Sequence, residues 1–125
     1  MLGGAPTSIF LATTQPAAAQ AFYTDVIGLE FVEDNEFAIV FNMAGSELRI
    51  SKVPQFTPHP FTVLDWQVDN IKDTVVKLKS IGISFVIYDF MEQDEDGIWT
   101  VPGGGAQIAW FKDPDNNVLS VSQRR

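Results

Sequence analysis

The 125-residue sequence predicts an α+β fold built from two similar modules, each with the order strand, helix, three strands. The segments VIGLEF (26–31) and SIGISF (80–85) resemble each other, and each closes a predicted helix. A strand-like run precedes each helix, and a series of such runs follows it. This internal repeat indicates a single domain made of two modules, neither of which can bury its sheet alone.

The boundaries of the modules follow from proline content. The segment VPQFTPHP (53–60) contains three prolines and is the natural linker. We therefore expect module one at about 7–52 and module two at about 61–123, within one domain that spans 1–125.

Each predicted helix carries start and stop signals. In the first, Pro16 lies near the start, Ala18, Phe22 and Val26 share one face, and Gly28 ends it. In the second, Asp69 or Asn70 is the candidate N-cap. An apolar stripe at i, i+4 and i+7 and a terminal glycine follow; these residues are Ile71, Val75, Leu78 and Gly82.

The predicted strands are LEFVE, FAIVFNM and ELRIS in module one. In module two they are SFVIYDF, IWTV, QIAWF and VLSVS, of which the first two could form one bent hairpin. Polar and apolar residues alternate, so that Leu48 and Ile50 oppose Glu47, Arg49 and Ser51. Each sheet thus has an apolar face for its helix to cover and a mixed polar face. The polar face is either solvated or a ligand cleft.

Composition excludes several classes of function. Sixteen acidic residues against eight basic ones give a formal net charge of −8, which disfavours binding to nucleic acid. The same charge would favour a cationic small molecule, although it also serves solubility. The absence of cysteine excludes disulfides and thiolate chemistry. The apolar run at 9–12 is too short for a signal peptide, and no stretch is long enough to cross a bilayer, so we expect a cytoplasmic protein without membrane contact.

Two motifs carry a family resemblance. AFYTDVIGLEF (21–31) resembles the first-helix signature of the vicinal oxygen chelate superfamily, which includes glyoxalase I, extradiol dioxygenases and the bleomycin resistance proteins. GGGAQIAWFKDPDNNVLSV (103–121) resembles the ending of the same family, with Asn116 where glycine is usual. The resemblance covers about 7–123. It implies paired βαβββ modules whose curved mixed sheets surround a cleft, with the helices on the outer faces, and it implies a homodimer.

Metal-dependent members of that family take four ligands from four strands. The resemblance places these positions at Ser8, Arg49 (or Glu47, if the register slips by two), Val63 and Ser120. Valine has no donor atom, arginine is cationic and serine hydroxyls are poor ligands alone. We therefore expect no metal and no other cofactor.

Other candidate sites in the sequence are weak. His59, the only histidine, lies in the proline-containing linker, where a surface position is more common than a ligand role. The acidic segment EQDEDG (92–97) has part of a calcium-loop spacing but lacks the downstream glutamate, so a solvated loop is favoured.

The polar strand faces supply the candidates for ligand binding. Charged, polar and aromatic residues on them could orient and stack on a flat organic molecule. These residues are Phe10, Glu47, Arg49, Ser51, Asp65, Gln67, Trp99, Trp110, Ser120 and Ser122. Alternatively, Arg49 and Asp65 only neutralise each other and the aromatic residues belong to the core.

Three functions fit these features. The first is a metal-free protein that binds a small organic molecule, similar to the bleomycin-type resistance proteins that sequester a cationic drug. The second is a lyase or isomerase that uses Asp65 or Glu47 as a general base, which would leave the catalytic residues otherwise unknown. The third is a domain that serves assembly only.

Overall fold

A computed structural model describes residues 1–124. Within these residues, two helices and eight strands follow one another, with a π-helical turn directly after the first helix. In order they are β1 (Thr7–Thr13), α1 (Pro16–Ala21), the π-turn (Phe22–Val26), β2 (Glu30–Asp34), β3 (Ala38–Met43), β4 (Ser46–Lys52), β5 (Thr62–Gln67), α2 (Ile71–Ser80), β6 (Trp99–Thr100), β7 (Ala106–Lys112) and β8 (Val118–Arg124).

The strands form two four-stranded mixed sheets with the same topology. Their orders are β1-β4-β3-β2 and β5-β8-β7-β6. In each, the first pair is parallel and the other pairs are antiparallel. This confirms the predicted α+β fold with two βαβββ modules. The chain divides into two compact units, Met1–Thr57 and the part from Pro58 onward, and the division falls inside the proline-containing segment 53–60.

The first helix buries a different face from the predicted one. Ala19 and Tyr23 are fully buried, and the Tyr23 ring lies 5.9 Å from that of Phe41 in β3. Ala18 is exposed, and Phe22 and Val26 are half-buried. The predicted face and the buried face both have i, i+4 spacing. Each begins at an alanine and continues with an aromatic residue, so the sequence does not distinguish between them. The predicted face was therefore wrong by one position.

The second helix agrees with its sequence signals. The Asn70 side chain caps the start by accepting a hydrogen bond from the Asp73 N–H at 3.1 Å. Ile71 and Val75 are buried and Leu78 is half-buried. At the end, Gly82 has a φ of 103° and its N–H bonds to Lys79 O. The Ile83 N–H bonds to Leu78 O, which completes a Schellman motif.

The predicted strand SFVIYDF (84–90) is absent, and IWTV is reduced to the two residues of β6. Val86 donates one hydrogen bond to Trp110 O in β7, at 2.8 Å. Beyond it, the Gln93 side chain replaces a strand partner. Its amide accepts from Tyr88 N–H at 2.7 Å and donates to Val86 O at 2.8 Å and to Gly97 O at 2.9 Å. These backbone N–H and C=O groups, which a neighbouring strand would otherwise bond, are thus satisfied by one side chain.

The turn before β8 forms as its sequence predicts. Asp113, 5% exposed, accepts at Oδ1 from the Asp115 and Asn117 N–H groups, both at 2.9 Å. Its Oδ2 accepts from Asn117 Nδ2 at 2.8 Å. Asn116 has a φ of 68°, a left-handed conformation that asparagine tolerates better than most residues. Asparagine therefore adopts the left-handed conformation that this turn requires.

The strand alternation is also confirmed. Leu48 and Ile50 in β4 and Leu119 and Val121 in β8 are buried on the apolar faces. In the second unit, the aromatic rings of Trp66, Phe85 and Phe111 pack together on that side. No helix within residues 1–124 has the length and apolar content needed to cross a membrane.

Candidate ligand-binding surface

The polar face of the second sheet aligns most of the candidate residues of that unit. Asp65 in β5 lies directly beside Ser120 in β8, and Ser120 lies opposite Trp110 in β7. One step along the same face, Gln67 lies beside Ser122. Because registered residues project to the same side of a sheet, these five side chains share one surface.

The Asp65 carboxylate is held by two serine hydroxyls. Ser120 Oγ donates to Oδ1 at 2.6 Å, and Ser122 Oγ donates to Oδ2 at 2.7 Å. Both serines are only 2% exposed, whereas Asp65 is half-buried. Within residues 58–124, no lysine or arginine forms an ion pair with Asp65. The carboxylate is therefore fixed in position, while no cationic side chain among residues 58–124 neutralises its negative charge.

Four aromatic side chains form a row that we call the aromatic row: Trp110, Trp99, Tyr88 and Phe90. The Trp110 indole contacts Trp99 at a centroid distance of 6.1 Å and Tyr88 edge-on at 5.5 Å. Tyr88 in turn contacts Phe90 at 5.5 Å. Trp110 Nε1 donates to Thr62 Oγ1 in β5 at 2.9 Å. Its indole thus reaches across β8 toward the strand that carries Asp65.

A groove borders the aromatic row, and its two terminal rings, Trp99 and Phe90, both line it. Its volume is 860 Å³. The lining is mixed, with apolar side chains from Phe90, Met91, Ile98, Trp99 and Pro102 and polar or charged ones from Glu92, Gln93, Asp94 and Thr100. Phe90 is 79% exposed, so its ring is available to a ligand. Asp65 does not line the groove. In the strand order β5-β8-β7-β6, Asp65 lies on one edge strand and Trp99, which lines the groove, lies on the other, with Trp110 on β7 between them.

The candidates of the first unit share the polar face of its own sheet. Ser8 in β1 pairs with Glu47 in β4, and Phe10 pairs with Arg49. Glu47 Oε2 accepts from the Ser8 hydroxyl at 3.0 Å and lies 3.7 Å from Arg49 Nη1. Phe10 is 64% exposed, and Ser51 is half-buried. Arg49 and Asp65 belong to different units, and their pairing stays a prediction.

Comparison with known families agrees with this architecture. Residues 6–121 match the family model described as the glyoxalase/bleomycin resistance protein/dioxygenase superfamily. The chain belongs to this superfamily. No curated protein matches the sequence.

Solved structures from the superfamily share the fold at low sequence identity. A member from Sphaerobacter thermophilus is 18% identical with a TM-score of 0.76, over 99% of this chain and 100% of that one. The antibiotic-binding protein TnmS3 from Streptomyces is 17% identical with a TM-score of 0.73, over 100% and 99%. A lactoylglutathione lyase from Agrobacterium tumefaciens is 18% identical with a TM-score of 0.71, over 96% and 93%. At such identities, the likeness establishes the fold only.

The register shows which of the predicted ligand positions are neighbours. Glu47, the alternative to Arg49, lies beside Ser8. Asp65 lies beside Ser120, and the β5–β8 register shifts by one residue between Thr62 and Leu64. This irregularity, like any β-bulge, is not visible in an alternation pattern.

Neither Glu47 nor Asp65 fits a divalent ion in this arrangement. Both Asp65 oxygens already accept serine hydroxyl protons, and Glu47 Oε2 accepts the Ser8 proton. The partner of each carboxylate is thus a neutral serine hydroxyl, whereas a transition-metal site requires imidazole, thiolate or several free carboxylate ligands. Within residues 1–124, no three histidine, cysteine, aspartate or glutamate residues are grouped as a metal site requires. His59 instead stacks on Phe61 at 4.8 Å.

The acidic segment 92–97 has a structural role. Asp94 Oδ1 accepts from the N–H groups of Asp96 and Ile98 at 2.8 and 2.9 Å. The Asp96 carboxylate forms ion pairs with Lys72 and Lys79 on α2. These contacts attach the segment to the helix.

A pH dependence of stability follows from the Asp96 ion pairs. Hydrogen bonds from Lys72 and Lys79 lower the pKa of the Asp96 carboxyl below its ordinary value. The stabilisation is therefore present above the pKa of an unfolded aspartate and is lost as the pH falls through the lower folded pKa. Asp96→Asn should reduce the melting temperature near pH 7, and the difference from the parent should vanish toward about pH 2.

The measurement is thermal unfolding of both proteins across that pH range, with the exposed Glu36→Gln as the control for removal of one acidic charge. A difference between parent and Asp96→Asn that does not depend on pH would contradict the assignment.

Several residues of the surface escaped sequence reasoning. Thr62 orients Trp110, while Tyr88, Phe90 and Gln93 form or support one wall of the groove. Tyr88 and Phe90 were assigned to a strand that does not form. The aromatic residues alternate in VIYDF (86–90), which is the pattern of a strand. This pattern alone does not distinguish a strand from the wall of a groove.

Proposed function

We propose that this superfamily member binds a small organic molecule on the polar face of its second sheet, without a metal ion, and sequesters it unchanged. The observation that carries the proposal is the aromatic row, whose central ring, Trp110, lies two strands from the Asp65 carboxylate and whose terminal rings, Trp99 and Phe90, line an 860 Å³ groove. Ligand sites commonly have volumes of about 300–1,000 Å³ and a few fixed polar groups among apolar walls.

The chemistry of the surface favours a flat cation. Tryptophan faces attract positive charge, and the Asp65 carboxylate adds a directed ionic partner. The formal net charge of −8 would also attract a cation from solution. The fold is shared with an antibiotic-binding protein, which is compatible with sequestration of a drug-like ligand. It is also shared with a lactoylglutathione lyase, so the fold alone does not decide between binding and catalysis.

The alternative, a lyase or isomerase with Asp65 or Glu47 as general base, has less support. Both oxygens of Asp65 and one oxygen of Glu47 already accept hydrogen bonds from serine hydroxyls, and Arg49 lies beside Glu47. These contacts occupy acceptor positions that a general base would need for the substrate proton. Assembly as a homodimer and a cytoplasmic location stay predictions.

The proposal is tested by a thermal-shift screen of planar cationic, anionic and neutral compounds, with calorimetry on the compounds that bind. We expect planar cations to bind, and we expect EDTA to leave their affinity unchanged. Trp99→Ala should weaken them about tenfold, because it removes a stacking contact of about 1–1.5 kcal/mol. The matched control is Phe37→Ala, which removes a 73% exposed ring from the first unit.

Two results would contradict the proposal. Binding that EDTA abolishes and a divalent ion restores would show a metal-dependent site. Equal effects of Trp99→Ala and Phe37→Ala would show that the aromatic row does not contact the ligand.

A further inference from the structure

The hydrogen bonds of Asp65 leave a defined set of acceptor positions open. An ionised carboxylate offers about four lone-pair positions, two on each oxygen. Ser120 occupies one position on Oδ1, and Ser122 occupies one on Oδ2. One position therefore remains on each oxygen. The free acceptor capacity is divided equally between the two oxygens.

The strand geometry fixes the orientation of these positions. Both serines are on β8, which is the neighbour of β5, and they are two residues apart on the same face. Residues i and i+2 of a strand are separated by about 6.6–6.8 Å along its axis. Because each oxygen is bound to a different serine, the line between the two carboxylate oxygens runs along the strand direction, and both hydrogen bonds come from the β8 side. The two acceptor positions that remain free lie side by side, on the edges of the carboxylate that do not face β8.

A pair of parallel acceptors matches a planar cation with two N–H donors. Amidinium and guanidinium groups bind carboxylates through two parallel hydrogen bonds, whereas an ammonium group acts as a point charge. Trp110 reaches across β8 to Thr62 in β5, so an aromatic surface lies near the same strand. A flat cation conjugated to a ring could pair with Asp65 and stack on the indole together.

We propose that the ligand of this surface carries an amidinium or guanidinium group on an aromatic system, bound by Asp65 through two hydrogen bonds. Ser120 and Ser122 are positioning residues that act through Asp65. The inference rests on the proposed function and specifies the chemical class of the ligand. It adds the prediction that the shape of the cationic group, and not charge alone, determines affinity.

Four probes with one ring system separate shape from charge. They are 2-naphthamidine, 2-naphthylmethylammonium, (2-naphthylmethyl)trimethylammonium and neutral 2-naphthamide, each measured by calorimetry on the full chain. We expect the amidine to bind at least tenfold more tightly than the primary ammonium. We expect the trimethylammonium compound, which has no N–H donor, to bind no better than the primary ammonium.

Variants of Asp65 and Ser122 then test whether these residues cause the preference for the amidine. Asp65→Asn should abolish the advantage of the amidine over the neutral amide. Ser122→Ala should reduce the advantage over the primary ammonium to less than threefold, while Ser122→Thr, which keeps the hydroxyl, should restore most of it. Ser80→Ala, at the exposed end of α2, is the control for loss of a serine hydroxyl. Thermal unfolding of each variant verifies that it is folded at the assay temperature.

The outcomes distinguish the inference from the proposed function. Equal affinities of the amidine and the primary ammonium, both weakened by Asp65→Asn, would overturn the inference and leave a cation-binding surface. Unchanged amidine affinity in Asp65→Asn would also overturn it. Failure of all four naphthalene probes to bind would overturn both proposals.

Discussion

Asp113→Ala is expected to lower the free energy of unfolding by about 3–5 kcal/mol, a large fraction of the stability of a domain of this size. The carboxylate is 5% exposed and accepts three hydrogen bonds. Alanine would leave the Asp115 and Asn117 N–H groups without their acceptor, and an unsatisfied buried donor costs about 1–3 kcal/mol. The turn also sets the start of β8, the strand that supplies Leu119 to the core and both serines to the surface.

Urea denaturation followed by circular dichroism measures this effect. Asp89→Ala is the matched control, because Asp89 is an exposed aspartate and its loss should change stability by less than about 0.5 kcal/mol. Asp113→Asn should fall between the two, since its amide oxygen can still accept from both backbone N–H groups. If Asp113→Ala were as stable as Asp89→Ala, the side chain would not hold the turn.

Trp110→Ala is expected to destabilise the protein by about 3 kcal/mol and also to weaken a planar ligand by about tenfold or more. The indole contacts Trp99 and Tyr88, and its N–H bonds to Thr62. Truncation removes the central member of the aromatic row and leaves the Thr62 hydroxyl without this partner. Trp110→Phe keeps an aromatic ring and should retain part of the affinity while it loses the hydrogen bond.

The control for this double effect lies on the other face of the same sheet. Trp66 is half-buried and stacks on Phe111 at 6.3 Å, away from the candidate surface. Trp66→Ala should reduce stability by a similar amount without changing ligand affinity at a temperature where both variants are folded. If the two alanine variants lost affinity equally, the effect of Trp110 would reflect stability and not contact with the ligand.

Local signals in the sequence were sufficient for most of the fold. Asn70 and Gly82 mark the ends of α2 because a side-chain cap and a left-handed residue depend on immediate neighbours. The repeat predicted the order of helix and strands along both modules. The face of α1 could not be predicted, since Ala18 and Ala19 are equivalent in composition and tertiary packing selects between them. The loss of the strand at 84–90 depends on the Gln93 side chain, whose partners are known only after folding.

The sequence predicts which residues belong to the candidate surface but not the hydrogen bonds between them. Alternation placed Asp65, Ser120 and Ser122 on polar faces, because side-chain direction in a strand has a period of two. Their hydrogen bonds depend on the alignment of β5 with β8, where an irregularity between Thr62 and Leu64 shifts the register by one residue and places Asp65 beside Ser120. Register across 55 residues of chain is not encoded in either strand alone.

The attachment of the segment around Gln93 has a consequence for motion. Three backbone groups, at Val86, Tyr88 and Gly97, share the amide of this one side chain. A single change of its rotamer would release all three together, whereas Val86 would stay bonded to Trp110. The groove wall near Phe90 and Met91 thus takes three of its backbone bonds from one side chain, whereas the strand of Asp65 is held by the ladder between β5 and β8. A substitution of Gln93 would therefore alter the groove without moving the carboxylate, so the two parts of the surface can be changed independently.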